Sequence, residues 1–307
     1  MKIAILFISC AKYSLDGTHQ AMRDTFLKDV PKFPGLDYKF LIGDGTPTGE
    51  DETEMRAALK DSRHPVFDRH SPTINQPKDD EILAPVPDDY AYSGWKDRES
   101  LRWSYRNGYD YTFMAACDTY IDLPRLMSSG FENYAYSGRL HRGSAPETFA
   151  IGGAGYWLSR QTLPLFIDKP VTHWAGDYWL GRILSQLGVV VHGDRRYGQT
   201  PQQHHCVAPE GRDPVYPLES NKQITAHLNE APASYDKMLM YFAHAMRTGD
   251  QLTIEKLSET KRVHDSVWVN KLDGTYSNTI PAVITTAPTS TASVHIQRNS
   301  RWLRRLQ

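Results

Sequence analysis

The sequence is poor in cysteine and has no long apolar run. Its 307 residues include three cysteines, an odd number without regular spacing, which argues against a secreted scaffold built on disulfides. No stretch approaches the roughly 20 consecutive apolar residues that a membrane helix needs. The first apolar run, Ile3 to Ser9, is followed by no small-residue cleavage site, so it predicts a buried strand rather than a signal peptide. These absences predict a soluble, cytoplasmic protein without a membrane anchor.

Neither sign of charge dominates the chain. Lys and Arg total 35, Asp and Glu total 36, and the formal net charge is −1. This balance excludes a uniformly basic protein that coats DNA, but a local basic groove stays open because phosphate contacts depend on where the charges lie. The motifs GxGxxG and GK[ST] are also absent, which disfavours a Rossmann dehydrogenase and a P-loop enzyme.

Strand-like and helix-like segments alternate over the first two thirds of the chain. Apolar runs predict strands at Lys2–Ser9, Tyr38–Ile42, Tyr111–Ala116, within Ile151–Ser159 and at Val189–His192. Helical patterns lie at Thr18 to about Leu27, Glu52–Leu59, Trp95–Asn107 and Gly176–Leu187, and a long loop rich in Pro and charge is predicted for Arg63–Asp89. This alternation predicts an α/β sandwich with a central, mainly parallel sheet.

The composition changes after about Arg247. Ala282–Ser293 is of low complexity and reads as a linker or extended arm. The last residues place four arginines around Trp302: Arg298, Arg301, Arg304 and Arg305. We therefore predict a catalytic domain at 1–247 and a C-terminal extension at 248–307.

One carboxylate stands where α/β proteins bind their ligands. Asp118 follows the predicted strand Tyr111–Ala116, and ligands of such proteins bind beyond the carboxyl ends of strands. A carboxylate there can hold a divalent cation against a diphosphate, because hard cations prefer oxygen ligands. An Asp that merely caps a turn fits the same position, so the surrounding sequence has to decide.

Five blocks, in order between about residues 2 and 230, resemble those of the fringe-like β-glycosyltransferases, a GT31-like family with the GT-A fold. They are THQAMRDTF after the first strand, Lys96 in a helix ahead of Asp118, IGGAGYWLS, GDYWLG and ITAHLNE. IGGAGYWLS, close to the family's GGAGYVLS, is the most specific of them. The family's Asp-Asp-Asp motif is changed here, since its first two positions are Ala116 and Cys117.

The resemblance implies an inverting, metal-dependent glycosyltransferase that uses a UDP-sugar donor with Mn²⁺ or Mg²⁺. Asp118 and His227 would hold the metal, which offsets charge on the leaving nucleoside diphosphate. Asp177 would be the general base that deprotonates the acceptor hydroxyl. The residues expected to face the nucleotide sugar are Arg23, Asp44, Lys96, Gly152 and Gly153.

The acceptor is predicted from the same resemblance. Unanchored members from phage and microbial genomes are associated with sugar addition to hydroxymethylated pyrimidines, which implies 5-hydroxymethylcytosine in DNA. The Arg-rich tail and the run Arg139, His141 and Arg142 would then contact phosphates of a DNA partner around a flipped base. Two alternatives stay open: a glycan or glycolipid acceptor of surface polysaccharide synthesis, and a non-catalytic module that binds nucleotide sugars or carbohydrates.

Simpler interpretations of the same residues also stay open. IGGAGYWLS fits a glycine-rich turn that only allows close packing. His227 fits a structural histidine, and Asp177 fits a helix N-terminal charge that favours the helix dipole. His204, His205 and Cys206 suggest zinc, but no second cysteine pair lies at finger spacing.

Overall fold

The computed structural model describes residues 1–44, 74, 76–141, 148–199, 223–228 and 233–258. The strands, in chain order, are β1 (Ile3–Ile8), β2 (Leu36–Gly43), β3 (Glu81–Ala84), β4 (Tyr111–Ala116), β5 (Thr119–Ile121), β6 (Tyr136–Gly138), β7 (Tyr156–Ser159), β8 (His192–Gly193), β9 (Tyr197–Gln199) and β10 (Thr225–His227). The α-helices are α1 (Ala11–Leu15), α2 (Thr18–Asp24), α3 (Ser93–Arg106), α4 (Leu123–Met127), α5 (Gly176–Gln186) and α6 (Ala233–Thr248), and a further helix covers 251–258. Four 3₁₀ helices lie at Phe26–Lys32, Tyr90–Tyr92, Phe131–Asn133 and Leu163–Leu165.

Seven strands form a central sheet in the order β3-β2-β1-β4-β7-β6-β8. All neighbouring pairs are parallel except those of β7, which runs opposite to both β4 and β6. A smaller sheet of β5, β10 and β9 adjoins it, with β10 antiparallel to β5 and parallel to β9. The predicted fold class, an α/β sandwich around a mainly parallel sheet, is confirmed, and this architecture agrees with the GT-A fold that the resemblance implies.

Strand β1 shows why the sheet lies at the centre of the protein. Its side chains alternate between two cores: Ile3, Ile5 and Phe7 enter one that includes residues of α2 and α6, whereas Ala4 and Leu6 enter the other. A strand buried on both faces is apolar at every position, so β1 carries no polar residue along its length. The second core is covered by α3 and α5, which supply Trp95, Leu101, Trp179 and Leu180.

The longer elements match the sequence predictions closely. β4 has the predicted bounds, α3 begins two residues before the predicted helix Trp95–Asn107, and α5 ends one residue before Leu187. α2 ends at Asp24, and the residues after it form a 3₁₀ helix that contains Pro31. Proline lacks the amide hydrogen that a longer α-helix would need.

Two predictions about strands were wrong in part. The predicted loop Arg63–Asp89 contains β3, an edge strand paired with β2. The predicted strand Val189–His192 is reduced to β8, which takes only His192 and Gly193. The predicted helix Glu52–Leu59 lies outside the described residues.

The chain divides into two units, Met1–Ser258 and Glu259–Gln307, and the second lies outside the described residues together with the predicted linker and arginine tail. The predicted boundary at residue 247 stays a prediction. Within the described segments, no helix combines the length and apolar character that crossing a bilayer requires.

Candidate active site

A cavity of about 410 Å³ opens at the carboxyl ends of β1 and β4. Its size lies within the range of roughly 300–1,000 Å³ that small-molecule sites occupy. Its polar lining includes Ser9, Lys96, Asp97, Asp118, Asp177 and His227, together with Gly152 and Gly153. The structure therefore brings together six of the eight predicted site residues, and Arg23 and Asp44 lie elsewhere.

The direction of the strands explains this convergence. β1 and β4 are adjacent and parallel, with Ile8 beside Ala116, so Ser9 and Asp118 leave the sheet at one edge. β7 runs the other way, and the glycines that precede it therefore arrive at that same edge. Helix α5 begins there as well, which places Asp177 in its first turn.

Asp118 and His227 face each other across the join between the two sheets. Asp118 Oδ1 lies 3.1 Å from His227 Nε2. Within the described segments Asp118 Oδ1 is buried and accepts no hydrogen bond, even though an imidazole nitrogen is so near. Burial would raise the pKa of Asp118, but His227 outweighs it and the pKa is lowered, which keeps the carboxylate ionised at neutral pH.

These two side chains fit a divalent cation. Two ligand atoms bound at neighbouring positions, each about 2.1 Å from an octahedral ion, are about 3 Å apart, close to the separation found here. A Cβ at Gly153 would overlap the His227 ring, so only glycine lets the imidazole reach this position. Within the described chain no three His, Cys, Asp or Glu side chains group around a common point, so Asp118 and His227 are a pair among these residues.

Asp177 is held by backbone amides and faces the cavity. Its Oδ2 accepts from Gly152 N at 2.7 Å, and its Oδ1 accepts from Tyr178 N at 2.8 Å. A carboxylate has about four lone-pair directions, so acceptor capacity is left over. Burial raises the pKa of Asp177 above its usual value, against the two amides and the charges of His141 and His173. A carboxylate with a raised pKa accepts a proton more readily.

Lys96 lines the cavity and also connects α3 to neighbouring segments through hydrogen bonds. Its Nζ donates to the Ser9 carbonyl at 2.8 Å and to Asp88 Oδ1 at 2.6 Å. Asp88 in turn accepts from the amides of Ala11 and Gly43. The pair joins the start of α3 to the ends of β1 and β2, and Asp88 offsets the positive charge of Lys96.

Arg23 connects with the cavity only through other residues. Its Nε and Nη2 each donate to Asp80 at 2.7 Å, and Nη2 also reaches Glu81 Oε1. Glu81 Oε1 lies 3.0 Å from His19 Nδ1, and His19 Nε2 lies 2.5 Å from the hydroxyl of Ser9. Burial lowers the pKa of His19 to about 4, so the ring is neutral and links Glu81 to the cavity wall.

Asp44 follows β2 and is exposed. Its backbone amide donates to the Ala84 carbonyl, which extends the pairing of β2 with β3. The structure places it beyond the strand next to β1 and outside the lining of the cavity.

Asp97 is a cavity residue that sequence reasoning missed. It follows Lys96 on α3 and is 6% exposed. Its carboxyl fills the space that a Cβ at Gly176 would occupy. The only signal in the sequence is its position next to Lys96, and nothing there indicates that its side chain enters the same cavity as Asp177.

Aromatic rings form one side of the opening. Tyr90 and Trp174 line the cavity with ring centroids 5.3 Å apart, and Tyr90 is 67% exposed. His173 continues the row, 5.6 Å from Trp174 and 4.5 Å from Tyr178. Tyr90 and Trp174 line the same cavity as Asp177, so a molecule stacked on these two rings would lie in the cavity that holds that carboxylate.

Comparison with known proteins gives little beyond the architecture. No family model matches the sequence, and no curated protein matches it. A solved structure described as a glycosyltransferase involved in the glycosylation of the major capsid of PBCV-1 is similar over 78% of this chain and 98% of its own. Its sequence identity is 10% and the TM-score is 0.41. This likeness is too low to transfer an activity, and the functional assignment rests on the cavity.

Proposed function

We propose that the protein is an inverting glycosyltransferase that moves a sugar from a nucleoside diphosphate, expected to be UDP, to an acceptor hydroxyl. The observation that carries the proposal is the meeting of Asp118, His227 and Asp177 in one cavity at the carboxyl edge of the sheet. A pair of cation ligands and a separate carboxylate with a raised pKa are the two functions that this transfer requires.

The donor end of the cavity is assigned to Asp118 and His227. They would hold Mn²⁺ or Mg²⁺, which, when bound, would neutralise charge on the leaving diphosphate. Gly152 packs against Asp177 and Gly153 packs against the His227 ring, so the two glycines let both side chains line the same cavity.

The acceptor end is assigned to Asp177. A hydroxyl held beside it loses its proton to the carboxylate as the new glycosidic bond forms and the bond to the diphosphate breaks. The amides of Gly152 and Tyr178 fix the carboxylate in place, so it does not need to reorient during the step.

Two acceptors are compatible with the row of aromatic rings. Tyr90 and Trp174 suit the stacking of an extruded base such as 5-hydroxymethylcytosine, and they equally suit the apolar face of a saccharide. The charges favour the saccharide. The described lining carries the carboxylates of Asp89, Asp118 and Asp177, while Lys96 is already paired with Asp88. Carboxylates repel a polyanion, so a neutral glycan is the better electrostatic match.

Mass spectrometry of the acceptor tests the proposal directly. The full-length protein is incubated with Mn²⁺, a panel of UDP-sugars, and either DNA containing 5-hydroxymethylcytosine or a panel of oligosaccharides. We expect a mass gain of one sugar on a saccharide that disappears with chelator. A gain on the modified base would identify DNA as the acceptor, and unmodified DNA is its control.

Replacing Asp118 separates an enzyme from a binding module. We expect Asp118→Asn to reduce release of the nucleoside diphosphate at least tenfold at limiting Mn²⁺, because a neutral amide is a weaker ligand for a hard cation. Titration of Mn²⁺ against activity is the measurement, and excess metal should restore part of the rate. Unchanged turnover in the variant would remove Asp118 from the metal site.

A further inference from the structure

The most unusual group in the cavity is the carboxyl of Asp97. Within the described residues it makes one hydrogen bond, a long one of 3.4 Å that Tyr156 Oη donates to Oδ2. A carboxylate buried to this degree normally has several donors or a cation, because an unpaired buried charge is costly. Lys96 is adjacent, but its ammonium group binds Ser9 and Asp88.

Asp177 makes ionisation of Asp97 harder still. Both carboxyls line the cavity, and both adjoin the start of α5, where Gly176 leaves room for Asp97 and Asp177 follows it. Two nearby carboxyls in a poorly solvated site do not both ionise. Asp177 has two amide donors and Asp97 has none, so Asp177 is the member of the pair that keeps its charge.

The environment of Asp97 agrees with this assignment. Burial, followed by the negative charge of Asp177, raises the pKa of Asp97 well above its usual value. Tyr156 remains a phenol because burial and Asp97 raise its pKa too, and its hydroxyl donates to Oδ2 of Asp97. The carboxyl proton of Asp97 is therefore not used in the hydrogen bond with Tyr156.

We propose that the Asp97 carboxyl is protonated in the folded protein and donates a hydrogen bond to an oxygen of the sugar substrate held beside Asp177. This inference rests on the proposed function and extends it with a positioning residue. The substrate group it recognises is a hydroxyl or ring oxygen acting as acceptor. No proton is transferred by Asp97 in the step, since Asp177 takes the proton from the attacking hydroxyl.

Two substitutions at Asp97 separate a protonated acid from an ionised one. Asp97→Asn keeps the shape and a donor, so we expect kcat/KM within about threefold of the wild type. Asp97→Ala removes the donor without adding bulk beside Gly176, and we expect kcat/KM to fall roughly tenfold or more. Asp168→Asn, at an 86% exposed side chain, is the control for removing a carboxylate.

The pH profile gives a readout that a purely structural role would not move. The wild type should lose activity on the alkaline side as Asp97 ionises, and Asp97→Asn should lack that limb. The titratable groups that face the pair are Lys96 on α3, Tyr156 on β7, Tyr136 on β6, Tyr90 at the rim, and His141 and His173 near Asp177. A profile of Asp97→Asn that keeps the alkaline limb would contradict the proposal.

Carboxyl ¹³C NMR of the full-length protein with labelled aspartate locates the proton without any substrate. We expect one carboxyl resonance that remains protonated at pH 7 and is missing from Asp97→Asn. An Asp97 resonance that titrates at an ordinary pKa overturns the inference, as does an Asp97→Asn enzyme as inactive as Asp177→Asn. If the wild type neither transfers sugar nor releases nucleoside diphosphate, the proposed function fails, and the NMR result still decides where the proton is.

Discussion

Asp177 is the residue whose loss we expect to affect catalysis most. Asp177→Asn keeps the size and one acceptor oxygen but cannot take a proton, so kcat should fall by about 10²–10⁴. Binding of the nucleotide sugar should change little if Asp177 serves the acceptor, as we propose. The measurements are steady-state transfer rates and calorimetric binding of UDP with Mn²⁺.

Asp168→Asn again serves as the matched control, since its carboxylate is on the surface. Loss of donor binding together with kcat in Asp177→Asn would place this carboxylate at the donor instead.

His19 is expected to determine part of the acid stability. Its pKa is about 4 in the folded protein and about 6.5 in an unfolded chain, because burial disfavours the charged ring. The unfolded state therefore binds more protons between these values, and stability decreases as the pH falls from 6.5 towards 4. The effect at full extent is on the order of 3 kcal/mol.

Urea denaturation at several pH values measures this effect. His19→Gln should flatten the stability curve between pH 6.5 and 4, whereas His192→Gln, at an exposed ring, should not. Glu81, with a pKa lowered to about 2 by hydrogen bonds that outweigh its burial, loses its contribution in a more acidic window. An unaltered slope in His19→Gln would show that the ring is protonated without cost.

At the scale of elements, the ion pair of Lys96 and Asp88 links α3 to the ends of β1 and β2. Among the contacts between elements, it is the one whose contribution to stability we expect to depend most on charge. The side chains of Lys96 and Asp88 are 3% and 4% exposed. Lys96→Met removes the ammonium group that offsets the buried charge of Asp88, which should cost about 3–5 kcal/mol. The double variant with Asp88→Asn should recover part of that loss, and urea denaturation of the three proteins measures both effects.

A Lys96→Met protein as stable as the wild type would indicate that the remaining contacts of Asp88, which include the amides of Ala11 and Gly43, hold its charge sufficiently.

The long elements could be predicted from the sequence, and the short ones could not. β1 and β4 are apolar along most of their length, and α3 and α5 span enough turns for a periodic pattern to emerge. β5, β9 and β10 have three residues each, too few for any period. β3 lies in a Pro-rich, charged segment because it is an edge strand, where burial on both faces is not required.

The sequence likewise predicts some residues of the cavity and not others. Residues that follow β1 and β4 were predictable, because strand ends in parallel sheets are where ligands bind. Asp97 was not, because its place depends on the rotation of α3 and on the absence of a Cβ at Gly176. Arg23 matched a family block, yet in the fold it binds Asp80 and Glu81, which lie far along the chain from it.

At the scale of the whole molecule, the arginine tail is the feature that lets an experiment distinguish the two possible acceptors, DNA and a saccharide. We expect replacement of Arg298, Arg301, Arg304 and Arg305 by Gln in the full chain to leave transfer to a neutral saccharide unchanged. If DNA is the acceptor, the variant should bind it more weakly and with a smaller salt dependence, since each lost phosphate contact reduces the slope by about 0.9. Binding and transfer between 50 and 200 mM salt, a span over which four phosphate contacts would weaken binding by about 10², provide the measurement.

A tail variant that abolishes transfer to saccharide as well would assign the tail a role in the enzyme itself.

The placement of β10 has a consequence for how the protein is made. β10 inserts between β5 and β9 and delivers His227 to Asp118, so the two proposed ligands come from distant parts of the chain. During synthesis the sheet strands β1 to β4 leave the ribosome long before β10 does. The nascent protein therefore exposes Asp118 without its partner, and the cation pair closes only when β10 has docked. Pairing across so long a segment carries a large loop-closure entropy, which makes it a late step of folding. The proposed metal site thus forms only in a late step of folding, after the central sheet has been made.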